Sequence, residues 1–242
     1  MTDTAALAAI AFLGALIFGI TGFGAALVTI PLATHLVSLK FALALFVLAD
    51  LAAALSVGLE NPKKALRGEW TRLVPMILVG TALGVTLLVN LPRETGMLLL
   101  GLFVLGFALF SLFPRTKERI ISPAWAWLAG LAGGITSTLF GAGGPPYAIY
   151  LSQRGLTKAQ FRATLGLATL TSISLRVVAF LLTGLLLNAD VWLTALVVVP
   201  ACLAGIWVAR KIFLRISRDA LLRAVSLLLL ATGASLIFRA VS

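Results

Sequence analysis

GITGFGA (residues 19–25) and FGAGGPP (residues 140–146) each interrupt an apolar run that is longer than one membrane crossing. The two interrupted runs cover residues 4–37 and 121–151, whereas a single helical crossing needs about 20 residues. A break in hydrocarbon leaves backbone N–H and C=O groups unpaired, which is costly unless they line a cavity or contact protein. Two such breaks at corresponding places in two halves of a chain indicate a substrate site.

The composition places the whole chain in a membrane. Of its 242 residues, 61% are hydrophobic and 11% are charged, with a mean hydropathy of +1.11, whereas soluble domains carry about 25% charged residues. The net charge of +11 does not indicate a nucleic-acid partner, because the basic residues sit in short loops between apolar runs. One cysteine, Cys202, excludes a disulfide framework, and we expect no metal and no cofactor.

Six further apolar runs have the length of one crossing: 41–59, 71–91, 95–113, 161–185, 190–209 and 220–238. Together with the two interrupted runs they predict an all-α integral membrane protein.

The loop charges predict which face each connection occupies. Most Lys and Arg residues fall in four loops, which are 63–72, 115–119, 154–162 and 210–223, and positive loops face the cytoplasm. Two of these loops flank run 121–151, so that run enters and leaves on one face as a re-entrant hairpin. By analogy, run 4–37 is a hairpin entering from the outside, and both termini are expected in the periplasm.

An internal repeat divides the chain at residue 119. Three sets of residues match in order: Phe23-Gly24-Ala25 with Phe140-Gly141-Ala142, Val74-Pro75 and Gly80 with Val199-Pro200 and Gly205, and Arg93-Glu94 with Arg218-Asp219. Residues 1–119 and 120–242 then each hold a broken hairpin plus three transmembrane helices. Three is odd, so the second repeat is inverted relative to the first, as in many secondary transporters.

These duplicated motifs resemble the TauE/SafE family of sulfite exporters and related anion permeases. The resemblance rests on Gly22-Phe23-Gly24 followed by Pro31, on the echo at 140–145, and on the Val-Pro…Gly helices, and it extends over essentially the whole chain. It implies a secondary transporter of small sulfur-containing oxyanions (sulfite, and sulfonates such as sulfoacetate) in the bacterial cytoplasmic membrane, with export as the expected direction.

The chemistry of the two hairpin tips favours an anion. The second limb of each hairpin begins near the midplane, where free N–H groups and the positive end of the helix dipole collect. Glycine lets an oxyanion approach the main chain closely, and we expect the N–H groups of residues 141–144 to contact it. The predicted substrate-binding residues are Thr21, Gly22, Phe23, Gly24, Thr138, Gly141, Ala142, Gly143, Gly144, Tyr147 and Arg176. Close helix packing is the alternative explanation for the glycines, and Tyr147 is equally typical of a core.

Arg176 and Asp50 are charged residues deep within apolar runs. A buried cation costs about 3 kcal/mol on insertion scales, so it faces protein or water and is paired or functional. The Arg176 fork suits bidentate binding of an oxyanion; alternatively, it pairs with Asp50 or caps backbone carbonyls. Asp50 in turn either carries a coupling proton or serves as that partner.

The residue inventory favours transport over catalysis. One Cys, one His and one buried Asp are a poor set for an intramembrane enzyme, so we expect none. The alternative function is an anion channel, or a permease for another small anion such as thiosulfate or a carboxylate. The expected partners are the anion, the bilayer and a coupling proton or sodium ion, in a monomer or homodimer.

Overall fold

A computed structural model of the chain describes residues 2–21, 25–58, 62–112, 120–212 and 218–241. Every regular element in these ranges is helical. Apart from a 3₁₀ turn at Pro62–Lys64, the helices are α1 (Thr2–Thr21), α2 (Ala25–Ala33), α3 (Leu39–Gly58), α4 (Arg67–Asn90), α5 (Arg93–Leu112), α6 (Trp125–Phe140), α7 (Gly144–Ser152), α8 (Lys158–Leu182), α9 (Ala189–Ile212) and α10 (Arg218–Val241). The predicted tip residues Gly22, Phe23 and Gly24 and the predicted basic loop 115–119 lie outside the described residues.

Both glycine-rich stretches separate a long helix from a short one. The first lies between α1, of 20 residues, and α2, of nine. The second lies between α6, of 16 residues, and α7, of nine. The interrupted runs are therefore broken helices, as the sequence predicts.

Six helices of the described residues are long and apolar enough to cross a membrane, and they are not quite the six that the sequence predicts. The set includes α1, which we expected to be only one limb of a hairpin, because Asp3–Ile20 has a mean hydropathy of 2.0 over 18 residues. It lacks the predicted crossing 220–238, where the apolar segment found, Ser226–Phe238, is shorter than a full crossing. The helix α10 itself has 24 residues.

Small residues bring α4 and α6 into close contact. A Cβ added to Gly134 would lie 2.6 Å from the carbonyl oxygen of Ile77 and 2.9 Å from the Cα of Gly80. One added to Gly130 would lie 2.7 Å from the carbonyl oxygen of Leu73. Without a hydrophobic driving force in lipid, such backbone approach is a main source of helix association. These glycines are required for packing.

The pair α1 and α9 repeats this arrangement, again with one helix from each half of the chain. A Cβ on Gly205 would meet the carbonyl oxygen of Phe12 at 2.5 Å, and one on Gly19 would meet the Cβ of Ala209 at the same distance. Gly205 is the residue that the internal repeat matches with Gly80. The two matched glycines therefore have the same packing role. Gly80 of α4 packs against α6, and Gly205 of α9 packs against α1.

The remaining helix contacts place α3 and α8 at the centre. They pack on each other, α3 also packs on α9 and α8 also packs on α4, while α5 packs along α10. The large core joins residues of both parts of the chain, among them Phe46 of α3 and Phe180 of α8, and both side chains are buried. The second broken helix ends beside this central pair.

Candidate functional site

Local hydrogen bonds shape the turn between α6 and α7. Gly141 caps α6 with a φ of 73°, the left-handed conformation that glycine adopts without strain. Its N–H donates to the carbonyl of Ser137 at 2.9 Å, and the N–H of Ala142 donates to that of Thr136 at 3.1 Å. The chain then enters α7 at Gly144, followed by two prolines that suit a first helical turn.

These bonds correct one expectation for the tip. The N–H groups of Gly141 and Ala142 do not face an anion here, because they satisfy carbonyl groups at the end of α6. Over the described ranges, the N–H groups of Gly143 and Gly144 have no acceptor outside their own helix. The donors left for a ligand are therefore fewer than the sequence predicts.

Arg176 enters this turn from α8. Its side chain is fully buried, and its Nη2 donates to the Asp50 Oδ2 at 2.7 Å. Its Nη1 donates to the carbonyl of Ser137 at 2.9 Å, so the guanidinium also caps the end of α6. The Arg176 Nε is buried and has no hydrogen-bond partner in the described part of the chain. Both pairing alternatives raised by the sequence are thus present together.

A small cavity lies against this ion pair. We call it the tip cavity; it has a volume of about 30 Å³ and is lined by Phe18, Ala25, Ala26, Asp50, Ser137, Gly141, Ala142, Gly143, Gly144, Tyr147, Thr169, Ser172 and Ile173. This is the space of one or two water molecules. Ala25 and Ala26 begin α2, so the first turn of α2 and the glycine-rich turn before α7 both border the cavity.

Polar groups on α7 and α8 face one another across the tip cavity. The Tyr147 hydroxyl, fully buried, donates to the Ser172 Oγ at 3.1 Å. The Thr169 Oγ1 is buried with no partner among the described residues. An unpaired buried hydroxyl is costly in a protein interior, so Thr169 offers a free donor or acceptor to whatever enters the cavity.

The structure brings most of the predicted site residues together and leaves others apart. Gly141, Ala142, Gly143, Gly144 and Tyr147 line the tip cavity, and so does Asp50. Thr138 does not; its hydroxyl donates to the carbonyl of Gly134 at 2.9 Å and its Cβ packs toward Gly84. We therefore leave Thr138 out of the site. The side chain of Thr21, like residues 22–24, lies outside the described residues.

Several residues that line the tip cavity were not among the predicted site residues, and two of them carry a signal in the sequence. Thr169 and Ser172 precede Arg176 by seven and four positions, a spacing that places all three on one face of α8. Their alignment with the charged Arg176 is a signal that the sequence offers. Phe18 carries no such signal, because an aromatic side chain in an apolar run is typical of any core.

A second buried charge, Glu69, contacts residues at the C-terminal end of α7. Glu69, at the start of α4, accepts hydrogen bonds from the Tyr150 hydroxyl and from the Arg154 Nη2, the latter at 2.9 Å. The bond to Glu69 raises the pKa of the Arg154 guanidinium. Arg154 also donates to the carbonyl of Ile121. The cluster ties both limbs of the second broken helix to α4. Glu69 was not identified from the sequence as a buried charge.

Comparisons with known proteins agree with the membrane architecture. A probable inner membrane transporter protein, TsaS of Comamonas testosteroni, is 25% identical over 193 residues, which cover 79% of this chain and 81% of that protein. No solved structure matches the chain.

The sequence profile of the family described as sulfite exporter TauE/SafE matches residues 7–236, nearly the whole chain. The chain is a membrane protein of the TauE/SafE sulfite exporter family.

Proposed function

We propose that the chain is a secondary transporter of small sulfur-containing oxyanions, such as sulfite and sulfonates like sulfoacetate, and that it exports them across the inner membrane. We place the anion in the tip cavity. The family and the transporter to which the chain is similar support a transport function for sulfur anions. The described residues bring together no group of His, Cys, Asp and Glu suited to a metal.

The observation that carries the proposal is the guanidinium of Arg176 at the end of a broken helix. It lies behind the lining of the tip cavity, bonded to two of the lining residues, Asp50 and Ser137. It is fully buried, and its Nε is unpaired among the described residues. An oxyanion there accepts charge-assisted hydrogen bonds from the guanidinium. It also faces the first turn of α7, whose dipole favours negative charge.

Asp50 gives the site a means of coupling. A carboxylate and a substrate anion compete for one guanidinium, and the tip cavity of about 30 Å³ leaves little room for both. A proton delivered to Asp50 removes its charge and releases Arg176 to the anion. This reading joins the two alternatives for Asp50, because the residue is the partner of Arg176 and also the proton carrier.

Two observations support two inverted repeats with re-entrant hairpins. A twofold exchange of the two repeats would turn the contact of α4 with α6 into the contact of α9 with α1. Both contacts are close ones. Each tip is also tied to a limb of nine residues. Nine residues rise about 13.5 Å, which is less than half of the about 30 Å of hydrocarbon. A tip held by such a limb lies near the midplane.

The test of the binding site is a set of Arg176 and Asp50 variants. Arg176→Gln leaves Asp50 buried and unpaired, which costs about 3–5 kcal/mol of stability. The double variant Arg176→Gln/Asp50→Asn removes both charges and keeps the fold. We expect it to bind sulfite about a hundredfold more weakly, a loss of about 3 kcal/mol, in calorimetry on purified protein.

Asp50→Asn alone is the matched control, because it keeps the guanidinium. We expect it to bind sulfite at least as tightly as the natural chain and to transport it without dependence on a proton gradient in vesicles. Sulfite affinity unchanged in the double variant would exclude Arg176 from the site.

Gly141→Ala tests the tip itself. A Cβ at Gly141 would lie 2.8 Å from the Cβ of Ala26 and 3.1 Å from the Arg176 Nη1, at a φ of 73°. Gly155→Ala carries the same backbone strain, at a φ of 65°, with no atom closer than 3.9 Å. The left-handed backbone costs each variant about 1–2 kcal/mol. We expect sulfite flux to be lost only in Gly141→Ala, and equal flux in the two variants would argue against a site at this tip.

Single cysteines test the topology of the second hairpin. In a Cys202→Ala background, Ile120→Cys and Lys158→Cys flank the hairpin, and both positions are exposed. A re-entrant hairpin places both in the cytoplasm, so an impermeant thiol reagent should label neither from outside intact cells. Leu187→Cys, 75% exposed between α8 and α9, should label from outside. Labelling of Ile120→Cys and Lys158→Cys from opposite faces would show that the segment crosses the membrane.

A further inference from the structure

A second and larger cavity lies between the ends of α3, α4 and α5 and the end of α6. We call it the vestibule; it has a volume of about 240 Å³. Its lining divides into two regions by exposure. Ser38, Lys40 and Arg93 are exposed, whereas Leu88, Leu139 and Phe140 are buried. The vestibule therefore opens to the surface at one end and has an apolar inner end.

The open end of the vestibule is basic. The Lys40 Nζ donates to the carbonyl of Val89 at 3.2 Å. Within the described ranges, neither Lys40 nor Arg93 forms an ion pair with a carboxylate. Cations at the mouth of a low-dielectric cleft raise the local concentration of anions and their rate of entry. The charge of the vestibule thus matches the charge of the proposed substrate.

Two residues adjacent in the chain line the inner end of the vestibule and the tip cavity. Phe140 lines the vestibule, and the next residue, Gly141, lines the tip cavity. The Phe140 ring stacks on that of Phe103 of α5, with centroids 5.1 Å apart and planes at 23°. Such stacked pairs add to the stability of a packed position. Phe140 therefore forms a wall between the two cavities.

We propose that the vestibule is a separate binding site for an organic anion with a short apolar body, which occupies it after leaving the tip cavity on the way out of the cell. The acidic group lies at the end that carries Lys40 and Arg93, and the apolar body lies against Leu139 and Phe140. The volume suits this class of ligand, since a dry cavity of about 150 Å³ holds one benzene molecule. The inference rests on the proposed anion transport, and it adds a site at which the body of the substrate is selected.

Thiol labelling inside the vestibule tests this proposal. Gly96 lines it, and a Cβ there would meet only the flexible end of Leu39, at 3.3 Å. In Cys202→Ala protein reconstituted in phosphatidylcholine vesicles, we expect Gly96→Cys to react about tenfold faster with the anionic sulfonatoethyl methanethiosulfonate than with its cationic trimethylammonioethyl analogue. Lys40→Gln/Arg93→Gln should abolish that preference. At Leu187→Cys, the control site, the double change should alter nothing.

Protection of the same cysteine identifies the ligand. We expect 1-butanesulfonate to slow the labelling of Gly96→Cys more than sulfite does, and butyl methyl sulfone, its neutral analogue, to have no effect. Equal rates for the two reagents, or equal protection by the sulfone, would overturn the proposal. So would a charge preference that appears only when phosphatidylglycerol is added, because the cations would then serve lipid headgroups.

The two proposals fail in different ways. Labelling requires no transport, so a chain that is protected by butanesulfonate and moves no sulfite contradicts the transport function and leaves the vestibule in place. A chain that moves sulfite and shows neither charge preference nor protection contradicts the vestibule alone.

Discussion

The ion pair between Arg176 and Asp50 supplies partners to groups that hydrocarbon would leave without any: a buried charge and a carbonyl group at the end of a broken helix. A charge buried in an apolar bundle needs a partner, and Asp50 supplies it from the central helix α3. The end of a broken helix needs donors for its last carbonyls, and Arg176 supplies one to Ser137. One guanidinium thus stabilises the contact between α3 and α8 and the turn after α6. It is also the group that an anion would need, so binding and architecture share one contact.

Two other constraints fix the surroundings of that contact. Glycines allow α4 and α6 to approach to backbone contact, and Gly205 does the same between α9 and α1. Glu69 of α4 and Arg154 form an ion pair at the outer end of the second broken helix. Interfaces held by backbone contact resist small deformations. We therefore expect the movement that admits an anion to be concentrated at the tip, where the tip cavity is enclosed by glycine backbone and by side chains of α7 and α8.

The sequence predicts the helices and the breaks well because both follow from hydropathy and from glycine. It identifies Arg176 and Asp50 for an equally local reason, since a charge in an apolar run is conspicuous. It does not predict that the N–H groups of Gly141 and Ala142 are already engaged, because that depends on how tightly the chain turns. Nor does it separate Thr138, which bonds to its own helix, from Thr169, which faces the cavity. Those outcomes depend on which face each helix presents to its neighbours.

The central claim is that an anion and Asp50 compete for Arg176, and proton linkage tests it most directly. Calorimetric binding of a sulfonate at pH 7, in buffers of different ionisation enthalpy, gives the number of protons taken up with the ligand. A sulfonate does not itself titrate there, so any proton is taken up by the protein. The account predicts uptake of about one proton per anion, lost in Asp50→Asn. Binding without proton uptake, or with the same uptake in Asp50→Asn, would contradict it.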